Sequence, residues 1–451
     1  MEDIFGYIDE HLDESLGELT ELCKLPTVSA QNSAIGETAE HVCGLLRDLG
    51  FEAQILAKRP PGHPVVYAEQ SGRSSRTLLF YDHYDVQPPE PLELWSSPPF
   101  QPELRDGKLY GRGVSDNKGN IAARLAALRA WKEVRGELPC AVKFCIEGDE
   151  EIGSPQMEEF VEEHRELLAA DACIWEGGGV TWEGVPQVIL GVKGLLYVEM
   201  ESNTISGDAH SSYGTVLPNA AWRLAWALSS IKGPDERVLI EGFYDDVRAA
   251  TAEERAAVEA MPDEEAETLV SYGVEEALTG VRGVEFRLRH LFEPTATIDG
   301  LSSGYEGEGP KTVLPARALA KMDFRLVPDQ RPDDIFTKLR RHLDSRGFGD
   351  ITLRNLGAER PARTPVTDPL VEVMRQAVRD AYGQEALIVP TMAGTGPLWP
   401  FVATLGLPTA DIGIGYPEAR IHAPDENIRV EDFRAGAKGI AAVLGRFGEV
   451  G

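Results

Sequence analysis

Apolar residues at Phe5, Ile8, Leu12, Leu16, Leu19 and Leu22 recur every three or four positions, so the chain opens on an amphipathic helix. The pattern changes further on. Residues 77–81 (TLLFY) are a short apolar run, as expected of a strand buried on both faces. In 141–147, Val142, Phe144 and Ile146 alternate with Lys143, Cys145 and Glu147, and 172–175 is again short and apolar. Between the first two, Ile121, Leu125, Leu128 and Trp131 mark one face of a helix beginning near Asn120. Strands alternating with a helix predict an α/β segment built on a largely parallel sheet.

From about 197 to 357 the pattern is different. It reads as a strand at 197–206, then a helix through Ala221, Leu224, Leu228 and Ile231, then an acidic run at 245–276 taken as solvated helix. Strands follow at 295–298 and 318–327, with a helix over 335–343 and a strand near Ile351. This predicts a small α+β domain inserted into the first. After Pro361 the α/β pattern resumes, with a helix through Leu370, Met374 and Val378, a strand at 409–414 and a closing helix through Phe433 and Leu444. The expected division is 1–195 with 359–451 as one domain and 196–358 as the insertion. There is no internal repeat or low-complexity tract.

A length of 451 residues with 42% hydrophobic content supports two cores rather than one. The 44 basic and 74 acidic residues give a net charge of −30, which argues against nucleic acid or an anionic membrane surface as a partner. No stretch approaches membrane-spanning length, and the first residues show no cationic leader with an apolar core. The five cysteines, Cys23, Cys43, Cys140, Cys145 and Cys173, are odd in number and mostly flanked by apolar residues. They read as buried free thiols in a reducing cytoplasm.

In open α/β sheets ligands gather beyond the carboxyl ends of the strands, and His83, Glu150, Glu151 and Glu176 each follow a strand candidate. In His83-Tyr84-Asp85 an extended chain puts both polar side chains on one side, so the Asp85 carboxylate is expected to hold the imidazole nitrogen that does not face a metal. The turn 110–119 (YGRGVSDNKG) delivers Asp116 just before the helix, where it could equally serve as a cap. It lacks the spacing of a phosphate-binding loop. Residues 147–151 (EGDEE) crowd four carboxylates at a strand end, which requires that they diverge into solvent or hold a cation. Adjacent Glu150 and Glu151 can then divide proton transfer from ligation. A late His422, in IHAPDEN, supplies a second imidazole. The other histidines, His11, His41, His63, His164, His290 and His342, read as surface or packing residues.

Taken in order, H-x-D, G-R-G-x-x-D-x-K-G, E-G-x-E-E-x-G-S, an acid after the next strand and H-x-x-x-E-N resemble the M20 zinc metallopeptidases, and among them the nonspecific dipeptidase and carnosinase branch. The likeness extends through the insertion, over GDAHS at 207–211, GPKTVLP at 309–315 and FRLVP at 324–328. It implies a zinc-peptidase-like catalytic domain with a central, mostly parallel sheet, and an inserted α+β domain acting as lid and dimerisation domain. It implies two divalent metal ions, zinc first and manganese or cobalt as alternatives, bridged by Asp116. One is completed by His83 and Glu176, the other by Glu151 and His422. Glu150 is then the general base toward a metal-bridging hydroxide, with Asp85 behind His83. His210 would reach the partner's site in a homodimer, and Thr312, Arg325 and Thr395 would hold the substrate. Thr395 stands where the family usually has Ser, and Glu176 where this branch more often has Asp. The activity implied is hydrolysis of dipeptides or short peptides with a free C-terminal carboxylate. An N-acyl amino acid deacylase and a catalytically inactive relative are the alternatives.

Overall fold

The computed structural model describes residues 1–449 and divides into two compact units. The first comprises Met1–Gly191, Arg363–Pro390 and the chain from Pro397 onward; the second comprises Val192–Ala362 and Thr391–Gly396.

The first unit is built on an eight-stranded sheet in the order Glu52–Leu56, Val65–Gln70, Cys140–Glu147, Ser74–His83, Ala172–Trp175, Thr409–Asp411, Gln187–Ile189, Leu387–Val389. Its centre is parallel: Ser74–His83 pairs in parallel with Cys140–Glu147 and with Ala172–Trp175, which pairs in parallel with Thr409–Asp411. The first two strands form an antiparallel edge absent from the sequence reading: Glu52–Leu56 is half buried without clean alternation, and Val65–Gln70 has only a four-residue buried run, Val65 to Ala68. Helix Lys118–Arg135 is buried along nearly its whole length and starts slightly before the expected Asn120. It packs with helices Pro369–Tyr382 and Val430–Glu449 in one apolar core that includes Leu125, Leu128, Met374, Val378, Phe433 and Leu444. The opening helix is two helices, Glu2–Glu10 and Leu12–Cys23. The break falls at His11, whose ring turns back to stack on Tyr7 and meets the Tyr7 carbonyl at 2.9 Å.

The second unit carries a four-stranded antiparallel sheet in the order Thr297–Ser303, Arg317–Leu326, Gly194–Asn203, Thr352–Glu359. Alternation sorts its two faces. Leu196, Val198, Met200, Ala320, Met322 and Phe324 pack against helices Ala220–Ile231 and Pro332–Ser345, whereas Glu199, Glu201, Arg317, Asp323 and Arg325 lie on the opposite face. The acidic run holds two short helices, Ala252–Glu259 and Glu265–Ser271. Thr251 and Glu254 form a capping box that starts the first of them.

Candidate metal centre and active site

Three neighbouring strands of the first unit end at one edge of the sheet and release His83, the Glu150–Ile152 turn and Glu176 there. His83 is buried. Its Nδ1 lies 3.1 Å from the backbone carbonyl of Asp85 and 3.4 Å from the Asp85 carboxylate. The carbonyl is the nearer partner because the strand ends at His83 and the chain turns, so the extended spacing that would align the two side chains stops there. The Asp85 carboxylate instead accepts from the backbone N–H groups of Glu150, at 3.2 Å, and Glu151, at 3.1 Å. Asp85 thus fixes the turn that carries both glutamates as well as flanking the ring.

With Nδ1 engaged, His83 Nε2 faces the acids: 3.0 Å to Asp116 Oδ1, 3.5 Å to Glu176 Oε2 and 3.9 Å to Glu150 Oε2. His422 Nε2 lies 3.1 Å from Asp116 Oδ2 and 3.1 Å from Glu151 Oε2. The two oxygens of Asp116 therefore face different imidazoles, and each side is closed by a further glutamate. All five sequence-predicted ligands and Glu150 come together in this one unit.

Glu426 organises the loop that presents Asp116. Its buried carboxylate accepts from Arg112 Nη1 at 2.7 Å and from the backbone N–H groups of Gly113, Ser115 and Asp116 at 3.0, 2.9 and 3.0 Å. The His422 loop holds Arg420, His422 and Asp425 at φ of 55°, 62° and 61°, a left-handed conformation that non-glycine residues rarely adopt outside functional loops. Buried Arg124 donates to the carbonyls of Tyr81 and Trp175, both at 2.7 Å, tying together the strands that end in His83 and before Glu176. Gly148 is required by close approach, since a Cβ there would meet the Tyr84 hydroxyl at 2.2 Å.

The crowded acids at 147–151 divide. Glu147 and Asp149 turn to buried Lys58, which contacts Glu147 at 2.7 Å and also pairs with Asp149. Tyr81 Oη and Ser154 Oγ donate to Glu147, and the His63 backbone N–H donates to Asp149. Glu150 and Glu151 turn to the histidines. Burial first, then the charges of Glu151, Asp116 and Asp85, hold the Glu150 carboxyl well above its ordinary range, with His83 opposing. Burial likewise raises Glu176. The His83 imidazole is raised well above its usual value: burial opposes the rise, and Glu176, Asp116 and Asp85 outweigh it. Hydrogen bonds donated to the carboxylates of Asp116 and Glu151 raise His422 to about 10. Four acids around two imidazoles make a pocket that draws positive charge.

The donor set fits divalent cations. Glu176 Oε2 is buried with no hydrogen-bond partner among the described residues, and ligand atoms of His83, Glu150 and Glu176, like those of His83, Asp116 and Glu151, lie within 4.8 Å of one another. Mixed carboxylate and imidazole donors suit zinc, manganese or cobalt.

The remaining predicted residues belong to the second unit. Arg325 Nη1 donates to Thr395 Oγ1 at 2.7 Å. His210 is exposed, with Nδ1 2.8 Å from Ser212 Oγ, and Ser211 N donates to the Thr312 carbonyl at 3.2 Å.

The profile of peptidase family M20/M25/M40 matches residues 79–446. The chain belongs to that family. It is a metallopeptidase, and the M20 family is metal-dependent. Beta-Ala-His dipeptidase of Rattus norvegicus is 30% identical to this M20 chain over 364 residues, covering 76% of the chain and 74% of the relative. The crystal structure of an M20 family metallo-carboxypeptidase from Sulfolobus solfataricus superposes with a TM-score of 0.91 at 39% identity, covering 96% of this chain and 99% of that one. Human carnosine dipeptidase 1 gives a TM-score of 0.84 at 27% identity, covering 100% and 99%. The fold is the α/β architecture with a mostly parallel central sheet that the pattern predicted.

The sequence reading gave no role to Lys58 or Arg124, carried Glu426 only as part of H-x-x-x-E-N, and took His63 as a surface or packing residue. Glu426 had a signal, an acid four positions after a metal-capable histidine. Lys58 had none, since it stands in a Pro-rich loop far from the acids in the chain.

Proposed function

We propose that this chain hydrolyses the peptide bond of dipeptides or short peptides carrying a free C-terminal carboxylate. The observation that carries the reading is the split of Asp116 between two imidazoles, with Glu150 beside them. We assign His83, Asp116 and Glu176 to one divalent ion and Asp116, Glu151 and His422 to a second, zinc being the natural occupant. Bound there, such a pair acidifies water and polarises the scissile carbonyl. Glu150 takes the proton of the attacking water and returns it to the leaving amine. Its protection from bulk solvent suits that exchange, since burial brings a carboxyl nearer neutral pH. Asp85 keeps the Glu150 backbone fixed through its N–H. Arg325, braced by Thr395, is assigned to the substrate carboxylate, for which a guanidinium fork is suited, and Thr312, whose carbonyl accepts from the Ser211 N–H beside His210, is assigned to substrate binding as well.

The second unit serves in this reading as lid and dimerisation domain. Trp222 and Trp226, 60% and 55% exposed and stacked at 5.9 Å on helix Ala220–Ile231, support a homodimer in which His210 stabilises the oxyanion in the partner's site. Five buried free cysteines support a reducing, cytoplasmic setting, and among the described residues no helix is long and apolar enough to cross a membrane. The resemblance to the Sulfolobus carboxypeptidase favours one further reading, trimming of longer peptides from the C-terminus.

The test is a substrate panel. Purified, metal-loaded protein offered dipeptides, tripeptides and N-acetyl amino acids is expected to cleave the dipeptides fastest. Preferential release of acetate would establish a deacylase instead, and preference for tripeptides with release of the C-terminal residue a carboxypeptidase.

A further inference from the structure

Gln87 follows two residues after Asp85 and meets the same turn. The backbone N–H of Val86 donates to the Thr27 carbonyl at 2.9 Å, which anchors the segment beyond the strand that ends at His83. From there Gln87 grips Glu151. Its backbone N–H donates to Oε1 at 3.1 Å, and its Nε2 donates to Oε2 and to the Glu151 backbone carbonyl, both at 3.0 Å. His83, Asp85 and Gln87 thus work in alternation along one short segment. The first faces Asp116, the second accepts from the N–H groups of Glu150 and Glu151, and the third holds the Glu151 carboxylate. The type of donor matters here. Glu147 and Asp149 are answered by the ammonium of Lys58, whereas Glu151 is answered by an amide, which orients a carboxylate without cancelling its charge. With a donor on each oxygen the carboxylate keeps one orientation, in which Oε2 faces His422 Nε2 at 3.1 Å. Only 3% of that side chain is exposed, so water cannot readily supply the same bonds.

Resting on the two-ion reading above, we infer that Gln87 is a positioning residue for the metal centre. It holds the Glu151 carboxylate toward His422, where the second ion is assigned, and leaves the negative charge free for that ion. A hydrogen-bonded partner behind a ligand governs its orientation, and so the affinity of the position it serves. Among the described residues Gln87 bonds to none of His83, Asp116 and Glu176, so its effect falls on one of the two positions.

The experiment titrates zinc into metal-free wild type, Gln87→Met and Gln87→Asn by calorimetry, with the urea midpoint of each metal-free protein measured alongside. Methionine keeps the length without the donor, and asparagine keeps the donor but falls one methylene short. The wild type is expected to take up two equivalents. Each variant should lose about 10–100-fold in affinity for one equivalent and less than about twofold for the other. Equal losses at both equivalents would overturn the assignment. A lowered urea midpoint with both affinities unchanged would overturn it too, and would make Gln87 a structural residue only. A wild type that takes up fewer than two equivalents refutes the two-ion reading instead. Gln87 is then judged in the metal-free protein by combining Gln87→Met with Glu151→Gln: urea losses that fail to add uphold the coupling of the two side chains, and additive losses overturn it.

Discussion

Glu147 and Asp149 are chain neighbours of Glu150 and Glu151, yet the two pairs meet opposite surroundings. The first pair closes on Lys58, Tyr81, Ser154 and the His63 backbone, so its charge is answered from within the chain. The second pair joins Asp116 and Glu176 around two imidazoles, and one Glu176 oxygen has no hydrogen-bond partner among the described residues. Two buried acid clusters with similar composition therefore do different work. The one closed on Lys58, where burial and Glu147 raise Asp149 to about 8 so that one lysine answers the pair, is scaffold, and the one with excess negative charge is where external cations belong.

Stripping divalent ions with a chelator gives the largest contrast: activity should vanish and return on adding zinc, and the melting temperature should rise with zinc concentration as it does for any ligand that binds only the folded state. Glu150→Gln should lower turnover by a factor on the order of 10²–10⁴ while elemental analysis still finds the metal content of the wild type. Unchanged turnover would remove Glu150 from the role of base.

Lys58→Met acts on the other cluster and should behave in the reverse way. It leaves two buried carboxylates without their cation, a loss of about 3–5 kcal/mol in stability when one partner of a buried ion group is removed. Urea unfolding of metal-free protein measures it. A shift as small as that of a surface pair would mean that Glu147 and Asp149 are neutralised by some other route.

Glu426→Gln tests what joins the two halves of the metal centre. The glutamate keeps the Asp116 loop in place through four donors, and its own segment carries His422, so it sets the spacing between ligands that lie 306 positions apart in the chain. Outer groups of this kind change metal affinity by about 10–100-fold. Titration of zinc into the apoprotein should show that loss with unchanged stoichiometry, and Glu426→Asp should recover part of it.

Most of the candidate metal centre was legible because imidazoles and carboxylates at strand ends are visible one at a time, and their order along the chain carries the family. What stayed hidden depends on long-range packing. Lys58 meets Glu147 across 89 positions and Arg124 meets the Trp175 carbonyl across 51, and no local spacing encodes either. The central strands were readable from short apolar runs at 77–81 and 172–175 and from alternation at 141–147, whereas Glu52–Leu56 is only half buried and gives no comparable signal. The His11 break was also missed, because the apolar stripe from Phe5 to Leu22 runs across it undisturbed.

A third acid pair, on the polar face of the second unit's sheet, supplies the mild end of the comparison. Glu199 and Glu201 meet Arg354 at 2.6 and 3.1 Å, and Glu201 also meets Arg317 at 2.6 Å, but both arginines are more than half exposed. Here both guanidinium groups stay in water, so Arg354→Ala should cost only about 0–1 kcal/mol, and less as salt is raised. Hydrogen bonds from Asn203 and Arg317 hold Glu201 below its ordinary value of 4.5. A carboxylate with a depressed pKa contributes its stabilisation above its unfolded value and loses it as pH falls through the folded one. The difference between wild type and Arg354→Ala should therefore be present at neutral pH and shrink below about pH 4.5. Equal and large losses for Arg354→Ala and Lys58→Met in the same unfolding assay would break the distinction between exposed and buried acid clusters on which the metal-centre reading depends.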